Sequence, residues 1–165
     1  MLKTAEQREY QRQVLINLLR DQKLTVGFAE SCTGGQLSGF LAEQAGVSDI
    51  FLGSVVSYAN EVKVGLLGVR RDTLMNEGAV SEQTALQMAQ GVRKQIQCDW
   101  SAAITGIAGP TGGSATKPVG TVCFAIAGPS FEKTFTQVFQ GSRTEVQQQS
   151  VDYAVQILID GINNQ

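Results

Sequence analysis

The sequence predicts an α/β fold in which a largely parallel sheet carries helices on both of its faces. Short, apolar and partly β-branched segments alternate along the chain with amphipathic segments of helical periodicity. Later in the chain, two strand-like segments are joined only by the turn Gly128-Pro129-Ser130, and such a hairpin makes one strand antiparallel to its neighbours. We expect one domain over residues 1–165, which is long enough for a sizeable core.

The amphipathic segments predict five helices. Residues 5–21 carry apolar side chains at spacings of three and four. Ser81 is typical of an N-cap, here for a helix that runs through Gln97. The other helices are predicted to open at Gly34 and Gly35, to run from about Asn60 to Leu67, and to run from 143 to 162.

The apolar segments predict five strands. Three of them lie between helices and are short enough to be buried strands of a parallel sheet. The last two form the hairpin. The predicted strands are residues 24–29, 51–58, 100–107, 121–127 and 131–139.

Composition excludes several classes of function. Net charge is −2 without a basic cluster, which argues against nucleic-acid binding. No histidine is present and no cysteines form a C-x-x-C pair, which excludes imidazole-based metal sites and argues against a zinc site and a disulfide framework. An all-carboxylate magnesium site stays open but has no recognisable spacing, and we expect no metal and no cofactor. The first residues are too polar for a signal peptide and no apolar run approaches about 18 residues, so we expect a cytoplasmic protein without a membrane partner.

Four polar segments follow predicted strands. Ligands of parallel sheets bind beyond the carboxyl ends of the strands, so segments that leave those ends should converge on one crevice. The fourth segment joins them only if the fifth strand is also parallel. The segments are residues 30–33, residues 58–63, Thr105 onward, and residues 140–143.

Ser31 is the first candidate for chemistry in that crevice. It lies between a strand end and a glycine-rich helix start, where unpaired backbone N–H groups and the helix dipole stabilise negative charge. This setting suits an attacking oxygen and the oxyanion that follows, although a serine before a helix is also a common cap. Cys32 is the rival nucleophile, but the chain has no histidine to activate it, so we interpret it as a small buried thiol.

A base for Ser31 must be a lysine, a tyrosine or a carboxylate. Lys63 is the candidate, and its pKa would have to fall from about 10.4 to about 7–8. Burial and a neighbouring cation such as Arg143 would lower it, and Tyr58 could relay the proton or hold the lysine. A surface lysine on a short helix is the alternative. Glu30 would either pair with Lys63 and keep it charged, or orient the leaving group.

Residues 105–120 are a glycine-rich segment that begins at the end of the third strand and includes the loop 109–120. Such a loop lets backbone N–H groups approach an anion closely, and Lys117 could add charge. The loop has neither the P-loop pattern nor G-x-G-x-x-G, and a mobile surface hairpin is the alternative. Thr105 could bond the substrate or a backbone group. Arg143 suits a phosphate, or else it is a solvated helix start.

Four motifs resemble those of the CinA C-terminal domain family, in the same order along the chain: AESCTGG (29–35), SYANEVK (57–63), GAVSE (78–82) and ITGIAGPTGGSATKPVGTV (104–122). The resemblance runs from about Lys3 to the final helix. Stand-alone members of this family are deamidases that hydrolyse the carboxamide of nicotinamide mononucleotide to nicotinate mononucleotide and ammonia. The resemblance implies a three-layer α/β/α sandwich with a five-stranded mixed sheet.

The resemblance also implies roles for individual residues. Ser31 is the expected nucleophile, with Lys63 and Tyr58 as base and proton relay. We expect the backbone N–H groups from Cys32 to Gly35, together with Thr105, to hold the oxyanion. The residues expected to bind substrate are Glu30, Cys32, Thr33, Gly34, Gly35, Asn60, Gly106, Gly109, Gly112, Gly113 and Arg143.

A nucleotide-binding module without catalysis is the alternative function. In it Ser31 is only a cap, and nothing is required of Lys63. The distance between Ser31 Oγ and Lys63 Nζ distinguishes the two, because a base must lie within hydrogen-bond reach of the proton it takes. In either case we expect a small nucleotide as the ligand, and a homo-oligomer, because a small mixed sheet has exposed edges.

Overall fold

The computed structural model describes residues 1–165 and contains one mixed sheet of five strands. Those strands are β1 (Val26–Glu30), β2 (Phe51–Val56), β3 (Trp100–Gly106), β4 (Thr121–Ala127) and β5 (Glu132–Val138). Their order in the sheet is β2-β1-β3-β4-β5. β1 pairs in parallel with β2 and β3, and β4 is antiparallel to both β3 and β5. β5 therefore runs in the same direction as β1, β2 and β3, which confirms the predicted mixed sheet.

Six α-helices and one short 3-10 helix (Val47–Asp49) accompany the sheet. Four of the predicted helices agree with observed helices to within two residues at each end. The fifth, α2, begins directly after Gly34 and Gly35, where the sequence predicted it to open. The sixth helix was not predicted, because six residues with only Thr73 buried show no periodicity. The helices are α1 (Ala5–Asp21), α2 (Gln36–Ala42), α3 (Asn60–Leu67), α4 (Arg71–Asn76), α5 (Glu82–Ile96) and α6 (Arg143–Asn163).

The sheet divides the core into two layers. On one face, α1, α2 and α6 pack on large side chains such as Phe28, Ile104 and Phe124. On the other face, α5 packs on small side chains of the same strands, including Ala29 and Ala103. Successive residues of a strand point to opposite faces, which is why neighbours such as Phe28 and Ala29 belong to different layers. The result is the three-layer α/β/α sandwich that the sequence predicted.

Two strand boundaries differ from the prediction by two residues, the other differences being of one residue, and local hydrogen bonds explain both. β1 begins at Val26, two residues late, because the Leu24 N–H still bonds to the Leu19 carbonyl and completes the end of α1. β2 ends at Val56. The next residue, Ser57, donates its N–H to the Glu30 carbonyl at the end of β1, and the chain then turns away from the sheet. No helix of the chain combines the length and the apolar character needed to cross a membrane.

Candidate active site

Ser31 directly follows β1 and is held there by its own backbone. Its N–H donates to the Ile104 carbonyl of β3, and its carbonyl accepts from the Gly34 N–H. Gly34 and Gly35 have φ values of 58° and 100°, a left-handed conformation that glycine adopts at low cost. The N-cap position of α2 falls on Gly35, and no side chain caps the helix from that position. The Ser31 hydroxyl is therefore available for other contacts.

The contact that the hydroxyl makes is with Lys63. Lys63 extends from α3 into the protein with only 1% of its surface exposed, and its Nζ lies 3.0 Å from Ser31 Oγ. The same nitrogen donates to the Ser57 carbonyl at 2.6 Å. Lys63 is thus a buried lysine beside the nucleophile candidate, and the alternative of a surface lysine does not describe it.

Burial changes the acidity of this lysine. Removal from water penalises the charged ammonium and lowers the pKa of Lys63 to about 8, against a smaller opposing effect of Cys32. The hydrogen bonds of Nζ go only to a hydroxyl and a carbonyl, with no carboxylate among them. Arg143, which was expected to help, is not among the causes of this shift. A lysine with this pKa has a substantial neutral fraction near neutral pH.

Glu30 does not do what either sequence-based interpretation required. Its buried carboxylate accepts five hydrogen bonds, from the Thr33 hydroxyl, the Ser38 hydroxyl, and the backbone N–H groups of Gly35, Leu37 and Ser38. These donors belong to the loop after Ser31 and to the first turn of α2. Glu30 therefore fixes the start of that helix, and it contacts neither Lys63 nor the cleft described below.

Cys32 is buried, with 5% of its surface exposed, and burial raises the pKa of its thiol to about 12. A thiol with that pKa is almost entirely protonated near neutral pH and is a poor nucleophile. The backbone of this residue has more specific contacts than its side chain. Its carbonyl accepts a hydrogen bond from the side-chain amide of Gln147 on α6, at 2.8 Å.

Two backbone donors beside Ser31 are free. The N–H groups of Cys32 and Thr33 make no hydrogen bond within the protein, whereas that of Gly34 donates to the Ser31 carbonyl and that of Gly35 donates to Glu30. Unpaired N–H groups next to a nucleophile are what an oxyanion hole requires. Of these two residues only Cys32 lines the cleft described below, whereas Thr33 is fully buried outside it, so the expected segment 32–35 supplies one N–H group for that role.

A cleft of about 270 Å³ opens over Ser31 and Lys63. All four of the predicted polar segments contribute to its wall. The predicted residues that line it are Ser31, Cys32, Tyr58, Asn60, Lys63, Thr105, Gly106, Gly109, Gly112 and Arg143. The predicted substrate-binding residues outside the lining are Glu30, Thr33, Gly34, Gly35 and Gly113.

Five further residues line the cleft that sequence reasoning had not named. Ile107, Ala108 and Thr111 belong to the glycine-rich loop, where the candidates are Thr105, Lys117 and the glycines. Ala79 and Val80 belong to the GAVSE segment, which carried a recognisable motif but no chemistry-bearing side chain. Thr105 connects the two segments, since its hydroxyl donates to the Ala79 carbonyl at 2.8 Å.

Arg143 and Tyr58 meet at the mouth of the cleft. Arg143 is the first residue of α6, and its guanidinium donates to the Gly109 carbonyl at 2.8 Å and to the Tyr58 hydroxyl at 2.7 Å. Both partners are neutral, so Arg143 lies in the cleft wall without a carboxylate counter-ion. Tyr58 makes no hydrogen bond to Lys63 or Ser31, so its hydroxyl serves Arg143 rather than the lysine. Lys117 points elsewhere, to the Glu77 carbonyl at 2.6 Å.

The chain contains no group of three or more cysteine, aspartate or glutamate side chains placed to hold a metal ion. The nearest carboxylate in the sequence, Glu30, has its oxygens occupied by the α2 hydrogen bonds. The polar groups of the cleft are therefore a hydroxyl, an amine, a guanidinium and backbone amides. Such a set can bind an anion and carry out proton transfer and nucleophilic attack.

Curated relatives are similar to this chain over most of its length. A CinA-like protein of Fervidobacterium nodosum is 45% identical over 149 residues, which is 90% of this chain and 36% of the relative. A CinA-like protein of Thermotoga neapolitana is 44% identical over 153 residues, which is 91% of this chain and 36% of the relative. The chain therefore spans about a third of the length of these curated relatives.

Solved structures match the whole fold. The competence/damage inducible protein CihA of Agrobacterium tumefaciens is 40% identical with a TM-score of 0.90, covering 94% of this chain and 95% of that one. A CinA superfamily protein of Klebsiella pneumoniae is 32% identical with a TM-score of 0.92, covering 96% and 99%. The model of the family described as the CinA C-terminal domain matches residues 8–162. The chain belongs to the CinA C-terminal domain family.

Proposed function

We propose that this chain is an amidohydrolase that converts nicotinamide mononucleotide to nicotinate mononucleotide and ammonia. The observation that carries the proposal is the 3.0 Å contact between Ser31 Oγ and the buried Nζ of Lys63, whose pKa is lowered to about 8. A nucleotide-binding module has no use for a buried lysine against a serine, because burial of an amine costs stability. A serine hydrolase without histidine does need one.

The first step is proton transfer. With Lys63 neutral, the Ser31 hydroxyl donates its hydrogen bond to Nζ while the amine donates to the Ser57 carbonyl. Roughly a tenth of a lysine with a pKa near 8 is neutral at pH 7. Ser31 Oγ attacks the carboxamide carbon as its proton passes to Nζ. The C–O bond that forms leaves a tetrahedral intermediate with negative charge on the former carbonyl oxygen.

The free N–H group of Cys32, which lines the cleft, is the backbone donor for that charge. Preorganised donors of this kind are usually the largest contribution to catalysis of acyl transfer. Collapse of the intermediate breaks the C–N bond, and the Lys63 ammonium supplies the proton with which ammonia leaves. Water then attacks the acyl-serine, giving a proton to neutral Lys63, and Ser31 departs with that proton to regenerate the site.

Arg143 accounts for the nucleotide part of the substrate. Its guanidinium lacks a carboxylate partner and is held by Tyr58 and the Gly109 carbonyl. A guanidinium in this state suits a phosphate group. Binding of the remote phosphate would orient the carboxamide over Ser31, which converts binding energy into correct placement of the reacting atoms.

The test is ammonia release from nicotinamide mononucleotide in the presence of a chelator, with wild type beside Ser31→Ala and Lys63→Ala. Release by the wild type, with a loss of about 10²–10⁴-fold in each variant, is the expected result. Nucleotide binding without ammonia release by the wild type would overturn the proposal. That outcome would leave a nucleotide-binding module as the function of the site.

A further inference from the structure

Tyr58 contributes the only aromatic ring to the lining of the cleft. This residue is exposed over 58% of its surface, and its ring packs against no other aromatic ring. The Arg143 guanidinium contacts the hydroxyl at 2.7 Å and does not lie over the ring. The ring of Tyr58 is therefore open to contact with a ligand in the cleft.

The side chain of Tyr58 extends from the reacting centre to the proposed phosphate-binding residue. The residue before it is Ser57, whose carbonyl accepts from Lys63 Nζ at 2.6 Å. At the other end, the Tyr58 hydroxyl accepts from Arg143. In nicotinamide mononucleotide the aromatic ring carries the carboxamide and is joined through ribose to the phosphate. A substrate with its carboxamide over Ser31 and its phosphate at Arg143 therefore places its ring beside that of Tyr58.

The substrate ring carries a charge that the cleft wall must accommodate. Its nitrogen is bonded to ribose, so the ring is a pyridinium with a permanent positive charge. No aspartate or glutamate lines the cleft, and the two ionisable amine and guanidinium groups of the lining, on Lys63 and Arg143, are cationic when protonated. The face of an aromatic ring attracts a cation through its quadrupole. Among the side chains of the lining, Tyr58 thus offers the largest electron-rich surface to the pyridinium.

We propose that the face of Tyr58 binds the pyridinium and makes the cleft selective for nicotinamides substituted on the ring nitrogen, over neutral aromatic carboxamides. The inference rests on the proposed amidohydrolase function. The substrate ring keeps its positive charge throughout hydrolysis of the carboxamide. The contact therefore stabilises the bound substrate and the transition state equally, and its loss raises KM without changing kcat.

The experiment compares two ligands of the same shape: nicotinamide mononucleotide, and the benzamide ribonucleotide in which carbon replaces the ring nitrogen. Calorimetry gives both values of Kd in a Ser31→Ala background, which consumes neither ligand. The quantity compared between variants is the ratio of Kd for the neutral ligand to Kd for the cationic ligand. Adding Tyr58→Leu should lower this ratio by about threefold to tenfold, the range of a cation–π contact.

Tyr58→Phe is the matched control, because it keeps the ring and removes only the hydroxyl that contacts Arg143. That loss affects both ligands alike, so the ratio should stay within about twofold of its starting value. Thermal unfolding of each variant identifies a protein that has not folded. The same ratio in the leucine and phenylalanine variants would overturn this inference alone.

Tyr58→Trp provides a second measurement if the leucine variant binds too weakly for calorimetry. The chain's one tryptophan, Trp100, is fully buried, so a change in fluorescence on ligand binding reports on position 58. The pyridinium should quench this fluorescence by direct contact and the neutral ligand should not; equal quenching by the two would overturn the inference. Absence of ammonia release by the wild type would overturn the proposed function, whereas absence of binding by both ligands would overturn both.

Discussion

Ser31 and Lys63 meet 3.0 Å apart because the end of β1 sends two adjacent residues in opposite directions. The Glu30 carboxylate turns to the N-terminus of α2, while Ser31 faces α3 and its lysine. Were the carboxylate to point the other way, it would stabilise the ammonium and raise the pKa of Lys63. Burial lowers the pKa of Lys63 to about 8, and no hydrogen bond of Nζ to a carboxylate opposes that effect.

The lowered pKa of Lys63 predicts a pH-dependent stability difference between wild type and Lys63→Met. The folded pKa is about 8 and the unfolded value is near 10.5. Between these values the unfolded chain binds more protons, so the lysine's contribution to the free energy of unfolding rises with pH across this window. Urea denaturation of both proteins from pH 7 to 10.5 should show the wild type gaining on the variant above pH 8. If the difference in the free energy of unfolding did not change with pH, the pKa of Lys63 would not be lowered by folding.

Glu30→Gln should destabilise the protein by about 3 kcal/mol. Glutamine offers one acceptor oxygen, and its NH₂ group would face the N–H donors of α2 that Glu30 now accepts. Urea denaturation measures the change. Glu77→Gln, at an exposed position, is the control and should change stability by no more than about 0.5 kcal/mol. Equal effects of the two substitutions would contradict the structural role of Glu30.

Tyr58→Phe should raise KM for nicotinamide mononucleotide by about threefold to tenfold, which corresponds to the loss of one hydrogen bond. It should leave kcat within about twofold of the wild type. The Tyr58 hydroxyl contacts Arg143 and not Lys63, so its loss loosens the proposed phosphate-binding residue. Tyr10→Phe, on the exposed surface of α1, serves as the control in the same steady-state assay. A large fall in kcat at constant KM would instead favour the proton relay.

Iodoacetamide at pH 8 should leave the native protein active. Burial raises the pKa of Cys32 to about 12 and that of Cys98 to about 11, and Cys123 is buried as well. Mass spectrometry should detect no alkylation of the native protein and three alkylated cysteines after denaturation. Rapid inactivation by one alkylation at Cys32, prevented by nucleotide, would make the thiol and not Ser31 the nucleophile.

The fold follows from features that the sequence carries locally. Apolar periodicity defines the helix at residues 5–21, and the Ser81 side chain accepts from the Thr84 N–H as an N-cap should. The convergence of four segments on one cleft follows from strand direction, because the one antiparallel strand, β4, returns β5 to the direction of β1. The hairpin turn at residues 128–130 predicted one antiparallel strand, but the place of the fourth segment depended on the direction of β5, which the sequence left open.

The contacts within the site were less predictable, because they depend on where side chains point after the chain has folded. A buried carboxylate such as Glu30 is satisfied equally well by a cation or by backbone N–H donors, and the sequence is the same in both cases. The Tyr58 and Arg143 pair joins residues 85 apart. Gln147 carried no motif, and only the folded chain brings its amide to the Cys32 carbonyl.

The dependence of kcat/KM on pH tests the central claim most directly, because this ratio reports ionisations of the free enzyme. Ammonia release would be measured from pH 6 to 10 for the wild type and for Lys63→Arg, which keeps the charge but cannot lose its proton. The account predicts a wild-type limb that rises about tenfold per pH unit and levels near pH 8, and no such limb in the variant. A flat wild-type profile, or the same limb in Lys63→Arg, would contradict Lys63 as the base.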